Sequence, residues 1–150
     1  MALSPPFCCD VMCGKLAVYL RMCGYDTAYA LDRGIEADDA IADLAREESR
    51  TVLTRDRQLA ERTGGVLLTD RSVEGQLREL REAGLDLALD GEPAYCGTCN
   101  GPVEPVGPEE RTPEYAPTAR ETDIWRCRHC GQYFWKGSHW DRVRETLRGL

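Results

Sequence analysis

The sequence predicts an α/β protein: a doubly wound, mostly parallel sheet followed by a small zinc-stabilised module. Three observations carry that reading. Short apolar runs alternate with stretches of helical periodicity through residues 1–90, and a βαβ alternation folds as a parallel sheet with crossover helices. From residue 91 that pattern dissolves into Gly, Pro and Glu, the composition of turns and loops. Within this second part lie two Cys-x-x-Cys pairs, Cys96-Gly97-Thr98-Cys99 and Cys127-Arg128-His129-Cys130, separated by 27 residues. The expected division is therefore residues 1–90 and 91–150.

Phe7-Cys8-Cys9 is a short apolar run and reads as a buried first strand. Residues 14–23 put Leu16, Ala17, Leu20 and Cys23 at helical spacing, and Gly24 ends that helix. Residues 26–30 form a weaker second strand, and residues 38–48 a helix with Ile41, Leu44 and Ala45 facing inward. Thr51-Val52-Leu53-Thr54 is the third strand and Val66-Leu67-Leu68-Thr69 the fourth, with a short helix over 57–62 between them. Val73, Leu77 and Leu80 predict a last helix over 73–83, with Gly84 as its cap. There is no internal repeat, and residues 107–118 read as an exposed loop inside the second module.

Four thiolates in two close pairs complete a tetrahedral shell and leave no position for water, so Cys96, Cys99, Cys127 and Cys130 predict one structural zinc. Asn100, Gly101 and Gly131 sit just past the pairs and tolerate positive φ, which turns backbone amides back toward the sulfurs. His129 lies within one pair at a spacing that fits a ligand less well. Two disulfides are the alternative, and nothing else in the chain points to an oxidising compartment. The other four of the eight cysteines, Cys8, Cys9, Cys13 and Cys23, read as small buried hydrophobes. Cys8 and Cys9 are neighbours on a strand and should point to opposite faces.

No stretch approaches the roughly 18 apolar residues that span a bilayer. The opening Met1-Ala2-Leu3-Ser4-Pro5-Pro6 lacks a basic region followed by an apolar one. The expectation is a cytoplasmic protein with no membrane partner. Formal charge is −7, which argues against indiscriminate grip on nucleic acid. The distribution is uneven, however. Residues 1–90 hold 11 Lys and Arg against 17 Asp and Glu, a net of −6, whereas residues 124–150 hold 6 against 2, a net of +4.

Acids cluster on the topology. Asp10 follows the first strand, Asp56 lies two residues past the third, Asp70 follows the fourth, and Asp38-Asp39 opens the second helix. In a parallel sheet the carboxyl ends of the strands and the N-termini of the following helices face one crevice, where open α/β folds bind ligands. Carboxylates crowded there repel one another by several kcal/mol unless a cation intervenes. Mg²⁺ or Mn²⁺ suits oxygen donors and bridges to phosphate, so the implied chemistry is attack of water on a phosphodiester with the metal stabilising phosphoryl charge. Each acid also has a plain role as a helix cap or turn residue, Asp38 and Asp70 most readily. Lys15 and Arg21 on the first helix, and Arg55 and Arg57 flanking Asp56, are placed to hold phosphates.

The run Asp10-Val11-Met12-Cys13-Gly14-Lys15-Leu16-Ala17, continuing to Leu20-Arg21 and Gly24-Tyr25-Asp26, resembles the opening motif of the Mut7-C family of PIN-like ribonuclease domains. Arg50-Thr51-Val52-Leu53-Thr54-Arg55-Asp56-Arg57 resembles its second motif, and the cysteine pairs with Tyr133-Phe134-Trp135-Lys136-Gly137-Ser138-His139-Trp140 resemble its zinc-ribbon tail. The resemblance implies a PIN-like α/β/α sandwich with Asp10, Asp38 and Asp56 coordinating Mg²⁺ or Mn²⁺. Lys15 joins these acids in the expected catalytic set, and Asp70 and Asp39 are candidates for a fourth acid.

The tail mixes Trp125, Tyr133, Phe134, Trp135 and Trp140 with Arg126, Arg128, Lys136, Arg142, Arg144 and Arg148. Rings offer base-stacking faces and cations track phosphates, a combination suited to single-stranded RNA. A zinc ribbon has little core, so some of these rings must instead pack. The candidate RNA contacts are Arg21, Arg55, Arg57, Lys136, Trp140, Arg142 and Arg144. The reading is a metal-dependent ribonuclease with RNA as partner, and a protein partner on the ribbon or tail is a further possibility. The alternative is a catalytically inactive RNA-binding or protein-docking module. A nucleotide-binding domain lacks the Gly-rich phosphate loop it would need.

Overall fold

The computed structural model of the protein describes residues 3–89 and 92–150; the expected boundary between residues 90 and 91 falls outside the described residues. The chain runs β1 (Phe7–Cys9), α1 (Gly14–Met22), β2 (Thr27–Tyr29), a single 3-10 turn (Ala30–Arg33), α2 (Asp38–Glu47), β3 (Thr51–Thr54), α3 (Arg57–Thr63), β4 (Val66–Leu67) and α4 (Val73–Glu82). The four strands form one parallel sheet in the order β2-β1-β3-β4. Helices cover both faces, which explains why β1 and β3 read as continuous apolar runs. Phe7, Cys9 and Leu53 pack with Leu16 and Leu20 of α1 and Leu77 and Leu80 of α4. Cys8 and Val52 face the other way, onto Ile41 and Leu44 of α2 and Leu59 of α3. Cys8 and Cys9 thus serve opposite cores, as strand alternation requires.

β4 is shorter than its apolar run. The Leu68 amide still donates to the Thr54 carbonyl (2.7 Å), but the amides of Thr69 and Asp70 both turn to the Glu79 carboxylate on α4 (2.9 Å each), which ends the ladder.

The second module is an antiparallel sheet of β5 (Val103–Pro105), β6 (Trp125–Cys127) and β7 (Tyr133–Phe134). Residues 107–118 form neither strand nor helix. They are nonetheless held to the sheet, because the Tyr115 hydroxyl accepts from the Tyr133 amide at 3.1 Å and its ring lies 6.2 Å from that of Trp135.

One helix was not anticipated, α5 (Ser138–Arg148). Its buried residues Trp140, Val143 and Leu147 follow helical spacing, and Val143 and Leu147 join the core under α1 and α4. The chain therefore returns to the α/β core after the ribbon. The first cysteine pair is also fastened to the sheet: Arg21 donates to the Gly97 carbonyl (3.0 Å), and Asn100 accepts from the Thr27 amide (2.9 Å). Among the described residues no helix is long and apolar enough to cross a membrane.

Candidate active cleft and cysteine metal centre

Asp10 leaves β1 into a turn that keeps its carboxylate inside the protein, only 6 % exposed. One carboxylate oxygen accepts from the Met12 amide (3.1 Å) and the other from the Thr54 hydroxyl (2.5 Å) at the end of neighbouring β3. The same Thr54 oxygen accepts from the Asp56 amide at 3.0 Å. A single buried hydroxyl therefore fixes Asp10 and the backbone of Asp56 relative to each other. Asp56 caps α3, with one oxygen accepting from the amides of Gln58 (2.9 Å) and Leu59 (3.3 Å), so its second oxygen has no part in the cap. Asp38 is the first residue of α2 and is exposed.

These three acids line one cleft of about 310 Å³, together with Glu36 and Arg55. Sequence reasoning overlooked Glu36, which lies in the loop before α2 two residues ahead of Asp38; its only signal was that proximity. Among the described residues none of the four carboxylates is in an ion pair. The two other acids are placed elsewhere. Asp39 is 82 % exposed and paired with Arg62 at 2.5 Å. Asp70 makes the turn into α4, accepting from the amide (2.8 Å) and hydroxyl (2.9 Å) of Ser72. Those Ser72 hydrogen bonds hold the Asp70 carboxyl below the usual carboxylate range. Its carboxylate lies so close to Gly75 that a Cβ there would sit 2.0 Å from it.

The basic candidates divide likewise. Arg55 lines the cleft, Arg57 is exposed at the start of α3, and Lys15 is exposed on α1 outside the cleft lining. Arg21 is committed to the interior: 3 % exposed, it donates to the carbonyls of Thr27 (2.8 Å) and Gly97 (3.0 Å) and to the Asp32 carboxylate (3.2 Å). It braces the fold rather than facing a ligand. Trp140 is 7 % exposed and packs inward, with the Lys136 ammonium 5.2 Å from its ring centre. Arg142 is exposed, and Arg144 lies 3.6 Å from Asp141 one turn earlier.

Buried thiols near the cleft are protonated. Burial pushes Cys8 up to about 11, and burial with the adjacent Asp10 carboxylate pushes Cys13 up to about 12. Neither is a nucleophile, in keeping with a packing role.

Cys96, Cys99, Cys127 and Cys130 converge, with all four Sγ atoms within 4.8 Å of one another. Among the described residues they are the one such group of three or more Cys, His, Asp or Glu able to hold a metal ion as they stand. The Cys96–Cys130 and Cys99–Cys127 sulfurs lie 3.7 and 3.5 Å apart. That is too long for a disulfide bond of about 2.05 Å and close to the edge of about 3.8 Å in a tetrahedron with Zn–S bonds of about 2.3 Å. The amides of His129 and Cys130 point at the Cys127 sulfur (3.4 Å each). Burial raises the Cys127 thiol, but these amides and the neighbouring thiols outweigh it and bring it down to about 7. Asn100 (φ +68°) and Gly131 (φ +78°) adopt the expected left-handed turns. Gly101 is required for a different reason, since a Cβ there would lie 2.9 Å from the Cys127 sulfur. The four cysteines are able to hold a metal ion such as zinc.

No curated protein and no solved structure matches the chain. A family model does: that of the Mut7-C RNAse domain, over residues 5–147. Its span takes in the acidic cleft, the cysteine cluster and nearly all of α5, and on this ground the chain belongs to the Mut7-C RNAse domain family.

Proposed function

We propose that the protein is a metal-dependent ribonuclease that hydrolyses phosphodiester bonds of single-stranded RNA on a PIN-like domain, residues 1–90, with residues 91–150 helping to position the strand. The observation that carries this reading is the Thr54 hydroxyl, which ties Asp10 to Asp56 on a cleft that Asp38 and Glu36 also line. Four carboxylates that form no ion pair among the described residues are a poor site for an anion unless a cation joins them. Their hard oxygen donors suit Mg²⁺ or Mn²⁺, and such an ion keeps several of its waters, so one or two carboxylates can bind it directly while the others hold its waters. Asp10, Asp38 and Asp56 hold the ion in this reading, and Glu36 takes the place of a fourth acid.

When bound, such an ion stabilises the charge that builds on the phosphoryl oxygens during attack by water. The chain's residues supply geometry. Met12 and Thr54 fix both Asp10 oxygens, the α3 cap fixes Asp56, and Arg55 in the cleft wall offers a planar donor to a flanking phosphate. Arg57, Lys136, Arg142 and Arg144 guide the strand by charge, and a structural zinc on the four cysteines holds the ribbon in shape.

The test is Asp56→Asn. Asparagine caps a helix as well as aspartate does, so the fold should persist while the ligand charge is lost. Cleavage of single-stranded RNA with Mn²⁺ should fall by at least about 100-fold. Equal activity in both proteins would point to a contaminating nuclease, and no activity in either would leave an RNA-binding or docking module.

A further inference from the structure

A second groove, of about 550 Å³, runs between α1 and β2 on one side and the ribbon on the other. Tyr29, Tyr95, Tyr133, Phe134 and Trp135 line it, and each is half-buried, so ring surface stays open to an occupant. A groove walled by these five rings and by the largely buried Trp140 takes flat apolar groups, and three features identify which. The rings offer faces on which bases stack whatever their sequence. The flanking segment, residues 124–150, carries a net charge of +4 against −7 for the whole chain; its Lys and Arg side chains stand outside the lining, so the approach to the groove rather than its wall favours an anionic backbone. The groove also shares a wall with the acidic cleft: the Tyr29 hydroxyl donates to the Val11 carbonyl (2.9 Å), and Val11 lines that cleft. Gly14 seals the same junction, where a Cβ would lie 2.8 Å from the Tyr29 ring.

We propose that this aromatic groove is a base-binding subsite, receiving unpaired bases of the RNA strand whose phosphodiester lies in the acidic cleft. The proposal rests on the ribonuclease reading and adds what the acids cannot supply, selection of unpaired over paired RNA. In a duplex the base faces are already stacked and unavailable to protein rings, so only a single strand fills cleft and groove together. Stacking on aromatic walls is tolerant of base identity, which makes the subsite a reader of strandedness rather than of sequence.

The experiment compares binding of a hexauridylate and an abasic strand of the same length to the full chain, in buffer without Mg²⁺ or Mn²⁺ and without chelator. Trp135→Ala should weaken the base-bearing strand by about 5- to 150-fold, the range for loss of one stacking partner, and leave the abasic strand unchanged. Equal weakening of both strands, or none, overturns the proposal. A strand carrying 5-iodouridine, photocrosslinked to the unaltered protein, gives a readout independent of any variant's folding. Crosslinks at Tyr29, Tyr95 or residues 133–135 uphold the groove, and crosslinks confined elsewhere overturn it. Asp56→Asn separates the two readings. Base-dependent binding in an unaltered protein that, like the variant, cleaves nothing with Mn²⁺ keeps the subsite and removes the ribonuclease, whereas Asp56-dependent cleavage with Trp135-independent binding does the reverse.

Discussion

Replacing Thr54 by Val would separate the support of the acidic cleft from its acids. Thr54 is fully buried, and its hydroxyl donates to Asp10 (2.5 Å) and accepts from the Asp56 amide (3.0 Å). Valine fills nearly the same space and makes neither bond. A hydrogen bond to a charged group contributes about 1.5–3 kcal/mol and a neutral one about 0.5–1.5, so the loss should be about 2–4.5 kcal/mol. Against a total stability of about 5–15 kcal/mol most molecules remain folded, with a melting temperature lower by about 4–18 °C. Activity should fall further than unfolding accounts for, by about 10- to 100-fold, the usual effect of removing a group that orients a metal ligand. Thr54→Ser restores the hydroxyl and should recover most of the rate while losing only the packing of a methyl group. The assay is Mn²⁺-dependent cleavage at a temperature where both variants are folded, with a metal titration alongside. A Val variant with wild-type rate and metal requirement, or a Ser variant as poor as Val, would refute the role assigned to the hydroxyl.

Native mass spectrometry should find one zinc per chain, and its removal should unfold the ribbon because its three strands are only two or three residues long and the cysteine pairs sit at their ends; a metal-free chain with an intact ribbon would sink this. Acid stability should depend on Glu48, whose carboxyl is brought to about 2 from an ordinary 4.5 by hydrogen bonds from Arg33 and then Arg50. A depressed pKa stabilises the fold above about 4.5 and the contribution disappears as pH falls toward about 2. Glu48→Gln should therefore flatten the denaturation midpoint against pH across that window, and an unchanged slope would assign the acid response to other carboxylates.

Most of the sheet was legible because its strands are short, apolar and bounded by turn residues. β1 and β3 fall on the predicted residues, and the helices end within one residue of expectation. The acids were legible for a topological reason, since parallel strands bring Asp10 and Asp56 to one edge. What periodicity could not show was side-chain commitment. Arg21 looks like any helical surface arginine until the ribbon's Gly97 arrives 76 residues later to take its guanidinium. Asp70 sits at a strand end as Asp10 does, but the hydroxyl and amide of Ser72 draw it into a cap. α5 was hidden by its own composition. Trp140, Val143 and Leu147 are spaced for a helix, yet the arginines among them directed attention to charge.

The fastening of the ribbon to the sheet also bears on self-association. β2 is an edge strand, and an uncovered edge is a template for pairing with another chain. Thr27 turns its backbone amide and carbonyl to that edge, where Asn100 takes the first and Arg21 the second, and the residue is left with no exposed surface. Two side chains thus stand in for a neighbouring strand. One of them, Asn100, comes from the turn that follows the first cysteine pair. The cysteine cluster therefore bears on the edge as well as on the ribbon: if a zinc ion on the four cysteines fixes the turn that presents Asn100, a chain stripped of that ion would bare the Thr27 amide and gain a route to strand-to-strand assembly.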